Sequence, residues 1–363
     1  MGTRRFKISG FNFLYIIIVV VITLSVLVAI SAPAQAKDSL DLRVVGIGAR
    51  SLGMGKAGVA LADDSNAVFI NPAGLAYQKN WSATCMSTKL MERVDYKLVA
   101  GTYHTDYGTF GIGYIGATTP GGYLTTNKAS LSSAVPIGYG SSQIIVSYAR
   151  SLNELISGTS ILGDLSLGVS AKVLANNFSG YSAAASGQSC DFALLFKPRK
   201  NISFGLNLMN LGGNVNWANG SSEDLASKSK VGTVIKLLDD KLLLAVDADL
   251  AIIGNSPLLI HGGLEWTPLS LIVLRAGLDQ SALGSSAVTN LTGGLGIKLA
   301  GFSFDYAYQQ DSKLSGNSSH YFSLSFQPTF VEEIAAKEIK SELKVAGNQT
   351  NSNNSFGVLT YYK

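Results

Sequence analysis

The sequence predicts an all-β protein: a 14-stranded antiparallel transmembrane β-barrel with an N-terminal hatch, or plug, in its lumen. Three observations carry this expectation. From Trp81 onward apolar residues recur at every second position, the period of a strand with one face in an apolar medium. The links between these alternating segments are by turns very short and long. Finally, 47% of the chain is hydrophobic and 14% charged, against about a quarter charged in ordinary soluble domains. Yet no apolar run after residue 36 is long enough for a spanning helix.

Residues 1–36 read as an export signal. Arg4, Arg5 and Lys7 precede an apolar run from Phe13 to Ile30, and Ala34-Gln35-Ala36 supplies a small-residue cleavage site. An uncleaved anchor is the alternative, because this run is at the lower limit for a span; Pro33 and the small residues after it favour cleavage. The signal holds three of the 28 basic residues and none of the 24 acidic ones, leaving 25 against 24. The overall +4 charge therefore belongs to the signal, and no nucleic-acid partner is implied.

Residues 37–80 are the hatch segment. Gly46, Gly48, Gly53, Gly55 and Gly58 permit positive φ and close backbone approach. Asp63-Asp64-Ser65 offers an N-cap, and Asn71-Pro72 marks a turn leading into Ala73-Gly74. So few bulky side chains suit a segment folded back inside a barrel. Gly53 to Gly58 also spells Gly-x-Gly-x-x-Gly, but no strand–helix alternation follows, so a nucleotide loop is rejected.

The barrel occupies residues 81–327. Its strands are expected at about 81–90, 94–104, 109–117, 141–151, 163–177, 182–198, 201–211, 228–238, 240–252, 257–267, 270–280, 288–299, 301–311 and 319–327. In Leu165-Leu167-Val169-Ala171-Val173 the intervening residues are Ser166, Gly168, Ser170 and Lys172, a greasy face opposite a polar or small one. Links at Lys200, Asp239, Leu269 and Ala300 are nearly absent, whereas 212–227, 281–287 and 312–318 are long and rich in Gly, Ser and Asn. Tight periplasmic turns and long extracellular loops account for that alternation, and an even count returns both termini to the periplasm. Two links stand apart. Residues 152–162 are too long for a turn, which implies a small helix or a misplaced fourth strand. Residues 118–140 read as an extracellular loop with a hairpin extension. Cys85 and Cys190 fall on the apolar phase of distant strands, so free thiols are expected.

The run Gly48-Ala49-Arg50-Ser51-Leu52-Gly53-Met54-Gly55-Lys56-Ala57-Gly58 through Asn71-Pro72-Ala73-Gly74-Leu75-Ala76 resembles the N-terminal signature of the PorV/PorQ family of outer-membrane barrels, distant relatives of FadL-type hydrocarbon channels. The stretches Leu206-Asn207-Leu208-Met209-Asn210-Leu211-Gly212-Gly213, Leu274-Arg275-Ala276-Gly277 and Gly301-Phe302-Ser303-Phe304-Asp305 extend it over roughly 43–327. The resemblance implies the outer membrane of a Gram-negative-type bacterium, a hatch carrying Asn71, Pro72 and Ala73, and one of two roles. One is a gated channel for small hydrophobic molecules with exit by a gap in the wall. The other is a secretion adaptor that binds exported proteins and passes them to surface machinery. The partners implied are membrane lipid, a hydrophobic ligand and exported or secretion-machinery proteins.

On the polar phase lie Lys172, Lys236, Asp247, Asp249, His261, Glu265, Arg275, Asp279, Lys298 and Asp305, most of them on neighbouring strands, so one interior cluster is expected. Salt bridges that tie wall to hatch are its plain reading, and a ligand-binding constriction the sharper one. With His104, His261 and His320 the only histidines, and no nucleophile motif or metal-ligand spacing, neither catalysis nor a cofactor is expected. The tail 328–363 departs from the resemblance. Its 331–345 part mixes Glu and Lys as a short periplasmic helix would, and 348–355 is an Asn/Ser linker. Removal of residues 43–76 from a folded barrel is expected to raise its conductance in planar bilayers.

Overall fold

A computed structural model describes residues 41–124, 135–155, 163–179, 184–253, 256–283, 286–312 and 318–328. The export signal, the first residues of the hatch segment and the tail beyond Pro328 lie outside the described residues.

Among the described residues fifteen strands form one sheet. They are β1 (Ser82–Leu90), β2 (Val94–Thr105), β3 (Gly108–Leu124), β4 (Val135–Ser151) and β5 (Asp164–Ser179). Next come β6 (Ala184–Arg199), β7 (Ile202–Trp217), the short β8 (Ser222–Asp224), β9 (Ser227–Leu237) and β10 (Leu242–Ile253). The remaining five are β11 (Leu259–Leu269), β12 (Ile272–Leu283), β13 (Ser286–Leu299), β14 (Phe302–Gln310) and β15 (Ser318–Phe326). Each pairs antiparallel with its neighbours, β7 pairs past β8 with β9, and β1 closes on β15 from Ala83↔Phe326 to Thr88↔Tyr321. The closed wall thus has fourteen strands, with β8 an addition on the edge of β7. Closure leaves no unpaired edge, which a sheet in hydrocarbon requires.

The alternation read from the sequence is the in–out alternation of the wall. On β5, Val169 and Val173 are exposed while Ser170 and Lys172 are buried. Ile112, Val146, Leu291, Phe304 and Phe322 continue the outward apolar band. Near the rim with the tight turns, Trp81, Phe302 and Phe326 form a cluster with ring centroids 4.5–5.2 Å apart, the aromatic girdle of a membrane barrel. Cys85 and Cys190 are free and exposed on the outer face.

The inward face is not polar throughout. On β2, β3 and β4 it carries Leu98, Ile115 and Ile145, fully buried against Leu52, Val68, Phe69 and Leu75 of the N-terminal segment. These strands are apolar on both faces because one faces lipid and the other a packed plug.

The irregular links resolve as follows. In the unusually long one, Leu152–Leu155 forms a helical turn, and the Asn153 amide donates to Asp164 Oδ1 at 2.8 Å; residues 156–162 lie outside the described set. The hairpin extension expected within 118–140 is present: β3 and β4 stay paired out to Leu124↔Val135, and residues 125–134 lie outside the described residues. The long link after β7 folds back, with β8 paired on β7 and Leu225 and Ala226 buried.

Candidate functional site

Residues 41–80 run through the barrel as a chain of short turns. These are a 3-10 turn at Leu42–Val44, a helix at Ala49–Gly53, a helix at Ala67–Ile70 and a 3-10 turn at Pro72–Tyr77. The glycines let this backbone touch the wall. At Gly55 φ is +65°, and a Cβ would collide with the Leu278 and Gly262 carbonyls of the wall. Gly53 packs on Gly294 of β13, while Gly58 has ordinary clearance.

Asn71, Pro72, Ala73 and Gly74 each have a separate job. Asn71 Oδ1 accepts from the Ala73 amide (3.0 Å), and its Nδ2 donates to the carbonyls of Val59 (2.7 Å) and Leu194 (3.1 Å). Pro72 opens the 3-10 turn, where a missing N–H costs nothing. The Ala73 carbonyl accepts from Ser166 Oγ at 2.8 Å, and Gly74 lies so close to the Ala62 carbonyl that no side chain fits. The wall is relieved where the plug passes: Gly168 faces Pro72–Ala73, Gly205 faces Val59–Ala60 and Gly263 faces Met54.

The expected single cluster of lumen charges is divided into three groups, each completed by a plug cation: Lys56, Arg50 and Arg43. In the first, Asp247 Oδ2 accepts from the amides of Gly58 (2.7 Å) and Val59 (2.9 Å). Lys230 of β9 lies 3.4 Å from Asp249. Lys56 of the plug lies 3.1 Å from Asp279, and His261 Nδ1 sits 3.1 Å from both Asp279 Oδ1 and the Gly55 carbonyl. In the second group Arg50 of the plug binds Glu265 (2.8 Å) and Asp63 (2.6 Å), and Arg275 bridges Glu265 (2.7 Å) and Asp305 (2.6 Å). Lys298 is exposed and makes none of these contacts, and Lys236 is half-buried apart from them. Asp64 accepts from the Asn66 amide at 2.8 Å, and the helix itself begins at Ala67.

Lys172 belongs to a third network that the sequence did not announce. Arg43 binds Asp41 (2.7 Å) and Asp191 (2.6 Å), Lys172 binds Asp191 (2.6 Å), and Asn210 joins them all. Arg43 and Asp191 are 148 residues apart, beyond the reach of any spacing rule. The available signal was the break of alternation at Asn210-Leu211-Gly212-Gly213. The other histidines are engaged near strand ends: His104 with Thr109 (2.9 Å) and His320 with Tyr306 (2.8 Å).

Between the plug and β7, β9, β10, β11 and β12 lies a cavity of about 450 Å³. Its apolar lining includes Leu42, Val44, Val45, Phe69, Ile70 and Met209. Lys56, Lys230, Asp249 and His261 of the first charge group lie on its polar side, as do Asp41 and Arg43 of the third network. A pocket of this size, mostly apolar with a few convergent polar groups, is the usual form of a small-molecule site.

The fold is similar to that of known outer-membrane channels. The toluene transporter TodX of Pseudomonas putida matches with a TM-score of 0.51 at 12% identity, over 82% of this chain and 100% of its own. The Ralstonia pickettii toluene transporter TbuX matches at 0.50 and 14% identity, over 78% and 98%. A FadL homologue of Pseudomonas aeruginosa matches at 0.50 and 12%, over 77% and 97%. No protein-family model and no curated protein matches the chain. At these identities the likeness is one of fold, that of FadL-type outer-membrane barrels.

Proposed function

We propose that this chain is a gated outer-membrane channel for small hydrophobic molecules, with the 450 Å³ cavity as its binding station. The observation that carries the reading is the position of that cavity: an apolar pocket walled on one side by the plug and on the other by the barrel. A bound molecule would exchange water for Phe69, Ile70 and Met209, which favours apolar cargo by roughly 25 cal/mol per Å² buried. The similar folds of two toluene transporters support the same class of cargo. Exit through the wall fits better than exit along the axis. The tight-turn side of the plug is packed with Met54, Leu61, Leu195 and Leu243, whereas the β6–β7 pairing beside the pocket is irregular. In this reading residues 1–36 direct export, residues 37–80 are the stopper and both termini are periplasmic.

The test is uptake of radiolabelled toluene by cells whose outer membrane carries the chain, compared with the pocket-filling variant Leu259→Trp. Faster uptake with the native chain and loss with the variant are expected. Equal uptake by cells with and without the chain would sink the reading. Exported proteins co-purifying in stoichiometric amount, with no effect on toluene, would instead favour the PorV-type adaptor.

A further inference from the structure

The outer face of the wall changes character along one stretch. On β10, β12 and β13 the outward positions carry large apolar side chains such as Val246, Leu274, Leu278, Leu291 and Leu295, all exposed. On β1 they are Ala83, Cys85, Ser87 and Lys89, and on β2 Lys97 also stands outward. The register sets Ser87 between Lys97 of β2 and Phe322 of β15, and Cys85 between Val99 and Leu324. Phe322 and Val99 are 60% and 53% exposed. The short side chains of β1 are therefore the floor of a trough between taller apolar ones.

Polar groups gather at one end of this trough. Lys89 lies 3.6 Å from Asp95, an exposed pair that water screens. Lys97 is exposed and makes no ion pair among the described residues. Tyr114 of β3 lays its hydroxyl over Gly116, the partner of Lys97. The other end is the aromatic rim of Trp81, Phe302 and Phe326. Lys97 stands four residues along β2 from Gly101, which pairs with Ala83 at the level of Phe326. At about 3.4 Å per residue and a tilt of about 40°, its Cα is only about 10 Å above that rim, inside an apolar band about 25 Å tall. The wall is also low here, since β1 and β15 have 9 residues each where β3 and β4 have 17.

We propose that the outer face of β15, β1 and β2 binds one phosphorylated glycolipid of the outer leaflet, with an acyl chain along the trough and a phosphate held by Lys97 and Lys89. A lipid-facing ammonium at this depth is costly unless it reaches upward and an anion meets it. The low wall brings the headgroup layer down towards the lysines, and two cations match the charge of a phosphate monoester. Asp95 gives up Lys89 readily, because their exposed pair is weak. The hydroxyls of Ser87 and Tyr114 stand at the same level and add hydrogen bonds to the headgroup. The acyl chain takes the space between Phe322 and Val99. A second copy of this chain fits worse, since a two-fold contact centred here sets lysine against lysine. The choice of leaflet rests on the periplasmic placement of the termini, while the site itself is independent of the cavity and its cargo.

Native mass spectrometry of the full chain, freed of lipid in mild detergent and titrated with diphosphorylated lipid A, tests the site. One lipid A per chain is expected, bound about thirtyfold more tightly than by the double variant Lys89→Gln/Lys97→Gln, the worth of two lysines near a phosphate surface. Lipid A stripped of its phosphates is expected to bind the native chain as weakly as the intact lipid binds the variant, and Lys97→Arg, which keeps the charge, to bind nearly as the native chain does. Equal binding of lipid A by the native chain and the double variant overturns the proposal, as does a dimer of the chain that excludes lipid. Tighter binding of phosphatidylglycerol than of lipid A overturns the choice of leaflet, and with it the placement of the termini. Both lysines face outward from the wall, so the double variant is expected to fold; if it does not, Ala83→Phe, which fills the trough, is read by the same titration. Toluene uptake stays a separate measurement: its loss with lipid A binding intact overturns the channel reading and leaves the lipid site standing.

Discussion

Two charge networks that reach the cavity are both built from Asp with Lys or Arg, yet they differ in their access to water. Asp41, Arg43, Lys172 and Asp191 are each 7% exposed or less, whereas Asp249 keeps 23% of its side chain exposed and Lys230 keeps 13%. In the sealed network every ion depends on its partner, because solvent cannot replace it; at the Lys230–Asp249 pair beside the pocket, water shares the load. The first arrangement sets where the plug sits, and the second leaves polar groups ready to meet whatever enters.

The largest expected effect breaks that contrast directly. Asp191→Ala leaves Arg43 and Lys172 buried with one carboxylate between them, so a loss of about 3–5 kcal/mol in unfolding free energy is expected. Asp249→Ala, by the same reasoning, costs about 1 kcal/mol or less. Urea unfolding in detergent micelles measures both, and equal losses would show that the networks do not differ in kind.

The contrast also marks what the sequence could reveal. Period two exposed the strands because Val169, Ala171 and Val173 face lipid while Ser170 and Lys172 do not. It also flagged Asp247, His261 and Arg275, since a charge on an otherwise apolar strand must point inward. The plug was legible in its glycines, but its grip was not. Arg43 meets Asp191, and Arg50 meets Glu265, only after the chain folds back through a closed barrel. Leu98, Ile115 and Ile145 gave no hint either, since an apolar residue on the inward phase reads as noise until the plug's Phe69 is beside it. The wall glycines were read as turn or small-residue positions, although several record close approach of the plug.

Those glycines provide the second test. Gly205→Ala would drive a methyl into the Val59 and Ala60 backbone, and Gly168→Ala into Pro72 and Ala73; each is expected to cost about 1–3 kcal/mol. Gly262→Ala, on the outward phase of β11 with nothing near, is expected to change stability by less than about 0.5 kcal/mol. Thermal unfolding midpoints rank the three. A Gly262 variant as damaged as the Gly168 variant would break the assignment of the wall glycines to the plug.

The smallest expected effect is a pH dependence that has opposite signs in two corners of the plug. Burial works against the charge on Asp41, but Arg43 and then Lys172 outweigh it and hold the carboxyl well below its usual range. Its folded value is thus below the unfolded value of about 3.9, so its contribution is fully present above that value and fades only in strong acid. Asp64 behaves in the opposite way. Burial raises its carboxyl, Arg50 offsets that in part, and the neighbouring Asp63 pushes it up again. A raised folded value means that the charged form burdens the fold at neutral pH, and the burden disappears as pH falls through that value. Asp64→Asn, which keeps an oxygen for the Asn66 amide, is therefore expected to stabilise the plug at pH 7 by about 1 kcal/mol or less, an advantage that shrinks towards pH 4. Asp41→Asn is expected to destabilise at both pH values. Plug amide exchange recorded at the two pH values decides the matter: an Asp64→Asn advantage that grows on acidification would reverse the sign assigned to this corner.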